Sequence, residues 1–244
     1  MASKVSLLLT PASLNGVDLD ARVVVVFDVL RATTTLTAAL AAGVNPIYVF
    51  DRVEEAREQA GLCKTGRILA GEQKCLAPAG FDRGNSPRGF AASTDGGKCM
   101  FLATTNGTRA LAAVAAAPLV LAGALVNAAA VAKVLSRTSL DIILLCAGTG
   151  GEPAMEDVLG CGAVLNELSR QPEVELTGDL AHIAMRLFMS AKDDLAGALG
   201  DSQGGRNVAA AGLCEDIAFA AQLNSLNIVG QLQCNPLRIV PASQ

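Results

Sequence analysis

F-D-V-L-R-A-T-T-T, residues 27–35, ends one apolar run and opens a segment of small and hydroxylated residues. The run, Val23 to Val29, is broken only by Asp28, as expected of a strand buried on both faces. Thr33 to Ala42 then reads as a helix stopped by Gly43. The same layout recurs at T-T-N-G-T-R, residues 104–109, after a strand over Lys98 to Thr104 and before a helix from Thr108. Where a strand end meets a helix start, unpaired N–H groups and the positive end of the helix dipole favour an anion. Asp28 adds a carboxylate to that turn, so chemistry or a metal is expected there rather than binding alone.

Outward from these turns the chain alternates. Strands are predicted at Lys4–Leu9, Ile47–Phe50, Arg67–Gly71, Leu119–Ala122 and Asp141–Cys146. Helices are predicted at Val53–Leu62, Asn127–Leu135, Glu156–Leu168, Asp179–Met189, Ala191–Leu199, Arg206–Ala211 and Cys214–Leu223, and Ile228–Val240 is expected to supply a last strand or two. Between Gly71 and Gly97 the composition turns to Gly, Pro, Ser and charge, an irregular stretch of the functional kind. Alternating strands and helices imply an α/β fold with a largely parallel sheet covered on both faces. No repeat or linker divides it, so residues 1–244 read as one domain.

Composition narrows the function. Aromatics are 3% of the chain while apolar residues are 51%, so the core must be built from Ala, Val, Leu and Ile. The net charge of −4, with no Lys/Arg cluster, argues against a nucleic-acid partner. The apolar stretch from Ala110 to Leu135 is interrupted by Pro118, Gly123, Asn127 and Lys133, so no membrane span is expected. A soluble, cytoplasmic protein is the expectation, and the Ala-rich composition is compatible with a homo-oligomer. Seven scattered cysteines and a single His182 do not form a zinc pattern, and reduced thiols are expected.

Asp28, Glu72, Thr104–Thr105 and Gly148–Thr149 each lie at or just past a predicted strand end, where ligands of α/β folds bind. A buried Asp28 needs a partner; Arg31 can supply it as a plain salt bridge, or a metal can. Glu72 and Asp82 sit in the glycine-rich stretch, and Glu156 and Asp157 open a helix, where complementing the dipole is the competing reading. Carboxylates without histidines point to a hard cation, and Mg²⁺ fits. Arg31, Arg83, Arg88, Arg109 and Arg206 all neighbour glycine- or hydroxyl-rich turns and, as a set, suit a substrate with two anionic ends. A-G-T-G-G at 147–151 lacks the full dinucleotide fingerprint, and Cys146 ends an apolar strand as a buried thiol would.

Taken together, D-V-L-R-A-T-T-T (28–35), G-E (71–72), G-F-D-R-G-N-S-P (80–87), T-T-N-G-T-R-A-L (104–111) and C-A-G-T-G-G with E-D (146–151, 156–157) resemble the 2-phosphosulfolactate phosphatase, or ComB-like, family. The resemblance implies a three-layer α/β/α fold with a largely parallel or mixed central sheet. It also implies a Mg²⁺-dependent phosphoric monoester hydrolase converting (2R)-2-phospho-3-sulfolactate to 3-sulfolactate, a step toward coenzyme M or other sulfonates. Carried onto the matching motifs, it implies Asp28, Arg31, Glu72 and Asp157 as catalytic, with Asp28, Glu72 and Asp157 holding Mg²⁺. Substrate contacts are expected from Thr33, Thr34, Asp82, Asn85, Ser86, Thr105, Asn106, Gly107, Thr108, Arg109, Gly148, Thr149 and Arg206. After Gly71-Glu72 the family usually has arginine and further glycines, whereas this chain has Gln73-Lys74-Cys75. Attack by water and attack by Asp28 through an aspartyl-phosphate both remain open. So do a phosphatase on another phosphorylated hydroxyacid and a non-catalytic anion-binding module.

Overall fold

The computed structural model describes residues 3–64, 66–171 and 173–243. After β1 (Ser3–Leu8), strand β2 (Arg22–Phe27) is buried at every position beyond Arg22 and stops one residue short of Asp28. Its side chains alternate between two cores: Val23, Val25 and Phe27 face one, Val24 and Val26 the other. Helix α1 (Ala32–Ala41) is buried on every side from Ala32 to Leu40, so its threonines must satisfy their hydroxyls internally. Gly43, at φ 81°, turns the chain out of the helix.

The chain continues through β3 (Ile47–Phe50), α2 (Val53–Leu62), β4 (Arg67–Gly71), α3 (Ala92–Asp95), β5 (Cys99–Ala103), α4 (Gly107–Ala113) and β6 (Leu119–Gly123). Next come α5 (Ala128–Leu135), β7 (Asp141–Cys146), α6 (Met155–Leu168), β8 (Val174–Leu176), α7 (Asp179–Ala191), α8 (Leu195–Gly200), α9 (Gln203–Ala210) and α10 (Cys214–Ala220). A hairpin of β9 (Gly230–Gln233) and β10 (Arg238–Pro241) ends the fold. Helices α8 and α9 start later and earlier than predicted, because Asp194 and Ser202 cap them by accepting from the N–H groups of Gly197 and Gly205.

The strands form one ten-stranded sheet in the order β4-β5-β3-β10-β9-β6-β2-β7-β1-β8, with helices on both faces. The blocks β4-β5-β3 and β6-β2-β7-β1-β8 are each parallel. The β9–β10 hairpin lies between them, antiparallel to both neighbours. The sheet is therefore mixed, and the two parallel blocks run in opposite senses along the ladder. A mixed sheet is one of the two forms expected; its antiparallel part arises because the last two strands have no helix between them and so pair as a hairpin. The loops after β4 and β5 nonetheless meet those after β2 and β7, where Glu72 and Asn106 line one cleft with Asp28 and Thr149.

Helices α5, α6 and α7 cover one face and α1 and α4 the other. A smaller cluster under α2 stacks Tyr48 and Phe50 on Phe101. The 71–97 stretch is ordered and shields the outer edge of β4, where Asp82 N–H donates to Leu69 O (2.9 Å) and Gly71 N–H to Arg83 O (3.3 Å). Among the described residues no helix is long and apolar enough to cross a membrane.

Candidate active site

Asp28 is the centre of the site. The strand ends before it, and the chain must turn at once to start α1. Three contacts hold that turn: Thr33 N–H and Thr33 Oγ1 both donate to Asp28 O (2.9 Å each), and Asp28 N–H donates to Thr33 Oγ1 (3.1 Å). Ala32 N–H donates to Asp28 Oδ1 at 3.1 Å, aiming the carboxylate away from the strand. Its other oxygen faces the Gly107 backbone so closely that a Cβ there would lie 2.7 Å from Oδ2. Asp28 is 8% exposed, and burial pushes its carboxyl up to about 6, with Glu72 and Glu156 adding repulsion and the Ala32 and Gly107 amides opposing it.

Glu72 approaches from the other block of the sheet. Its Oε1 accepts from Thr105 N–H (2.9 Å) and Thr105 Oγ1 (2.5 Å), and its Oε2 from Cys75 N–H (3.1 Å). Lys74 and Cys75 adopt φ of 51° and 69° in a tight turn closed by Gln73 and Leu76. That is the backbone region glycine enters freely and other residues rarely. Asn85 is 3% exposed and its Oδ1 has no hydrogen-bond partner among the described residues. Asp28, Glu72, Asn85 and Asn106 together line a cleft of about 420 Å³ that is open to solvent.

Asp157 stands behind this cleft. It is 2% exposed, and its two oxygens accept from Val29 N–H (2.8 Å) and Gly148 N–H (3.0 Å). Burial raises its carboxyl well above the usual range, reinforced by Cys146, Asp28 and Glu156. Its geometry is that of a positioning group tying the loops after β2 and β7.

Several expected site residues are placed elsewhere. Arg31 does not pair with Asp28: it donates from Nη1 to Asp216 Oδ2 (2.7 Å) and from Nη2 to Cys75 O (2.5 Å) in the cleft wall. Asp216 also accepts from Ser86 Oγ (2.6 Å), so Ser86 serves that pair. Thr33, Thr34 and Thr108 are buried, with hydroxyls donated to Asp28 O, Val29 O and Thr104 O. Asp82 pairs with Arg67 at the sheet edge (2.9 Å), outside the cleft. Arg206 hydrogen-bonds Asp201 O and Gln203 at the start of its own helix. Arg83 pairs with Asp95 and Arg88 with Glu215, which disperses the expected arginine set. The N–H groups of residues 105 and 108 are taken by Glu72 and Thr104, so the expected anion cradle reduces to Asn106. Gly148 N–H is taken by Asp157, while Thr149 lines the cleft. Arg109 lines a neighbouring cleft instead.

Sequence reasoning missed the wall formed by α9, where Gly204, Asn207 and Val208 face Asp28 across the cleft. The available signal was Ser202 followed by Gly204-Gly205, a cap before a glycine pair that permits close approach. A Cβ on Gly204 would collide with Glu156 Oε1. Glu156 is itself 1% exposed, with Oε2 lacking a partner among the described residues.

The model of the 2-phosphosulpholactate phosphatase family matches residues 8–235, which takes in every residue just described around the cleft. The chain belongs to that family. Similar proteins carry the same description. A probable 2-phosphosulfolactate phosphatase of Carboxydothermus hydrogenoformans is 36% identical over 94% of each chain. Others so described, from Caldanaerobacter subterraneus subsp. tengcongensis and a Synechococcus strain, are 35% and 38% identical over 91% and 84% of this chain and 92% and 86% of theirs. For a member of the 2-phosphosulpholactate phosphatase family, the donor set at the cleft is informative. Among the described residues no three His, Cys, Asp or Glu side chains form a ready metal cage. Two carboxylates and an unpartnered amide oxygen are nonetheless hard donors, the kind that bind Mg²⁺ with its waters and a substrate phosphate.

Proposed function

We propose that this chain is a Mg²⁺-dependent phosphatase that hydrolyses (2R)-2-phospho-3-sulfolactate to 3-sulfolactate and phosphate, in the cytoplasm, on a route to coenzyme M or related sulfonates. The observation that carries the reading is the Asp28 cleft, where a buried carboxylate of raised pKa meets Glu72 and the unpartnered Asn85 Oδ1. In this reading Asp28 and Glu72 hold the cation with help from Asn85. When bound, the cation supplies positive charge that offsets the negative charge of the phosphoryl oxygens as the ester P–O bond breaks.

The chain's own groups do the rest. The Ala32 amide and the Gly107 backbone hold Asp28 in one orientation, and Thr105 does the same for Glu72. Asn106, projecting into the cleft, is assigned to a phosphoryl oxygen. Asp157 keeps the two loops in register. In one route water attacks phosphorus directly and its proton passes to the leaving alkoxide. In the other Asp28 attacks to form an acyl phosphate that a water then hydrolyses, restoring the carboxylate and supplying the proton taken up by the alkoxide. One water is consumed either way.

Phosphate release from 2-phosphosulfolactate, measured with Mg²⁺ and then with excess chelator, tests the reading. Activity that chelation abolishes and Mg²⁺ restores is expected. Ligand binding without any phosphate release would establish an anion-binding module instead, and equal turnover of phosphorylated hydroxyacids lacking the sulfonate would broaden the substrate class. Borohydride trapping during turnover separates the two routes, because only an acyl phosphate on Asp28 is reduced, which converts that side chain to an alcohol detectable by mass spectrometry.

A further inference from the structure

Beside the Asp28 cleft lies a second one, of about 510 Å³, bounded by the start of α2, the turn after β5 and Gln73. Glu72 lines both, so the two spaces adjoin across a single side chain. Two guanidinium groups, Arg52 and Arg109, line this second space and are exposed. The other arginines around the site are engaged: Arg31 by Asp216, Arg83 by Asp95, Arg88 by Glu215, and Arg206 within its own helix. Neither Arg52 nor Arg109 has a side-chain hydrogen bond or ion pair among the described residues.

The geometry points to Arg52 and Arg109 as the subsite that reads the sulfonate of the substrate, while the phosphate ester occupies the Asp28 cleft. This inference rests on the proposed reaction and adds Arg52, which lies outside every motif that carried the family resemblance. The substrate carries a phosphate on its central carbon, a carboxylate at one end and a sulfonate at the other, and the sulfonate needs a cationic partner of its own. The Asp28 cleft has none to offer a sulfonate, because Arg31 is already neutralised. Planar guanidinium groups suit a tetrahedral oxyanion, since each can donate two parallel hydrogen bonds. The carboxylates of Asp51 and Glu54 on the same wall confine the favourable region to the two arginines. A compact anion fits that pattern better than an extended one.

Arg52→Gln separates this from a structural role. With 2-phosphosulfolactate the variant should show KM raised ~10-fold and kcat within about twofold of the parent. With 2-phospholactate, which lacks the sulfonate, its KM should match the parent's. Adding Arg109→Gln should abolish the preference for the sulfonate substrate altogether. An unchanged KM for both substrates, or an equal loss on both, would overturn the assignment. Calorimetric binding of 3-sulfolactate to parent and Arg52→Gln protein needs no turnover. Weakened binding in the variant would support the subsite even if no phosphate were released, whereas equal binding would refute it whatever the activity.

Discussion

Asp28 carries a stability cost that its position imposes. In the unfolded chain its carboxyl ionises near 3.8, in the folded one at about 6. Between those values the folded state holds more protons, so this group's contribution to stability falls as pH rises, and the penalty is complete above about 6. A displacement of that size corresponds to roughly 3 kcal/mol. Asp28→Asn keeps the oxygen that accepts from Ala32 N–H and removes the charge. We expect the metal-free variant to melt about 6–12 °C higher than the parent at pH 7.5, with the gap closing toward pH 4.5, and to lose at least ~10³-fold in kcat. Thermal melts across that pH range and phosphate-release assays check both. Full activity in Asp28→Asn, or a melting gap independent of pH, would remove Asp28 from the centre of the site.

The element that matters most beside Asp28 is α4, because its first residue has to be glycine. A Cβ on Gly107 would sit 2.7 Å from both Asp28 Oδ2 and Ala32 Cβ, and Ala32 is anchored in the buried helix α1. Gly107→Ala should therefore displace the carboxylate. We expect kcat/KM to fall ~10²-fold with a stability loss of about 1–3 kcal/mol, read from kinetics and a denaturation curve. Parental kcat/KM in this variant would show that the close approach of α4 is dispensable. Elements of this kind are legible in sequence where punctuation is clear. Ile47–Phe50, Val53–Leu62, Arg67–Gly71 and Asp141–Cys146 form as predicted, to the residue. β8 was not legible: Val174–Leu176 is too short to show a period. Nor was the partner of Arg31, since Asp216 reaches it across the fold from α10. The hydroxyl partners were not legible either: Thr33 and Thr34 look like anion ligands in a string, but in a helix buried on all sides they donate to the Asp28 and Val29 carbonyls of the turn before it.

At the scale of the whole molecule, the sheet depends on its last hairpin. β9 and β10 join two parallel blocks that otherwise share no ladder contact. Ile239 is fully buried, and Gly230 lies under Ile239 and Leu40 with no room for a side chain. A chain ending at residue 229 should lose cooperative unfolding, as followed by circular dichroism against denaturant; a sharp transition at the parental midpoint would mean the blocks hold together through their helices alone. The α/β class and the gathering of strand-end loops at one site were readable from the alternation of strands and helices. The opposed blocks were not, because strand direction in the middle of the sheet is decided by a hairpin whose residues look like an unremarkable tail.

That arrangement also orders events during biosynthesis. β3 and β6 emerge from the ribosome early, each with one side waiting for a neighbour that is encoded near the end of the chain. Until residues 230–241 are made, every nascent copy exposes two open ladders in the middle of its sheet, the kind of surface that pairs with the wrong chain. Slower translation prolongs that exposure, so yield of soluble protein should depend on the rate of synthesis and on chaperones far more than the stability of the finished enzyme would suggest.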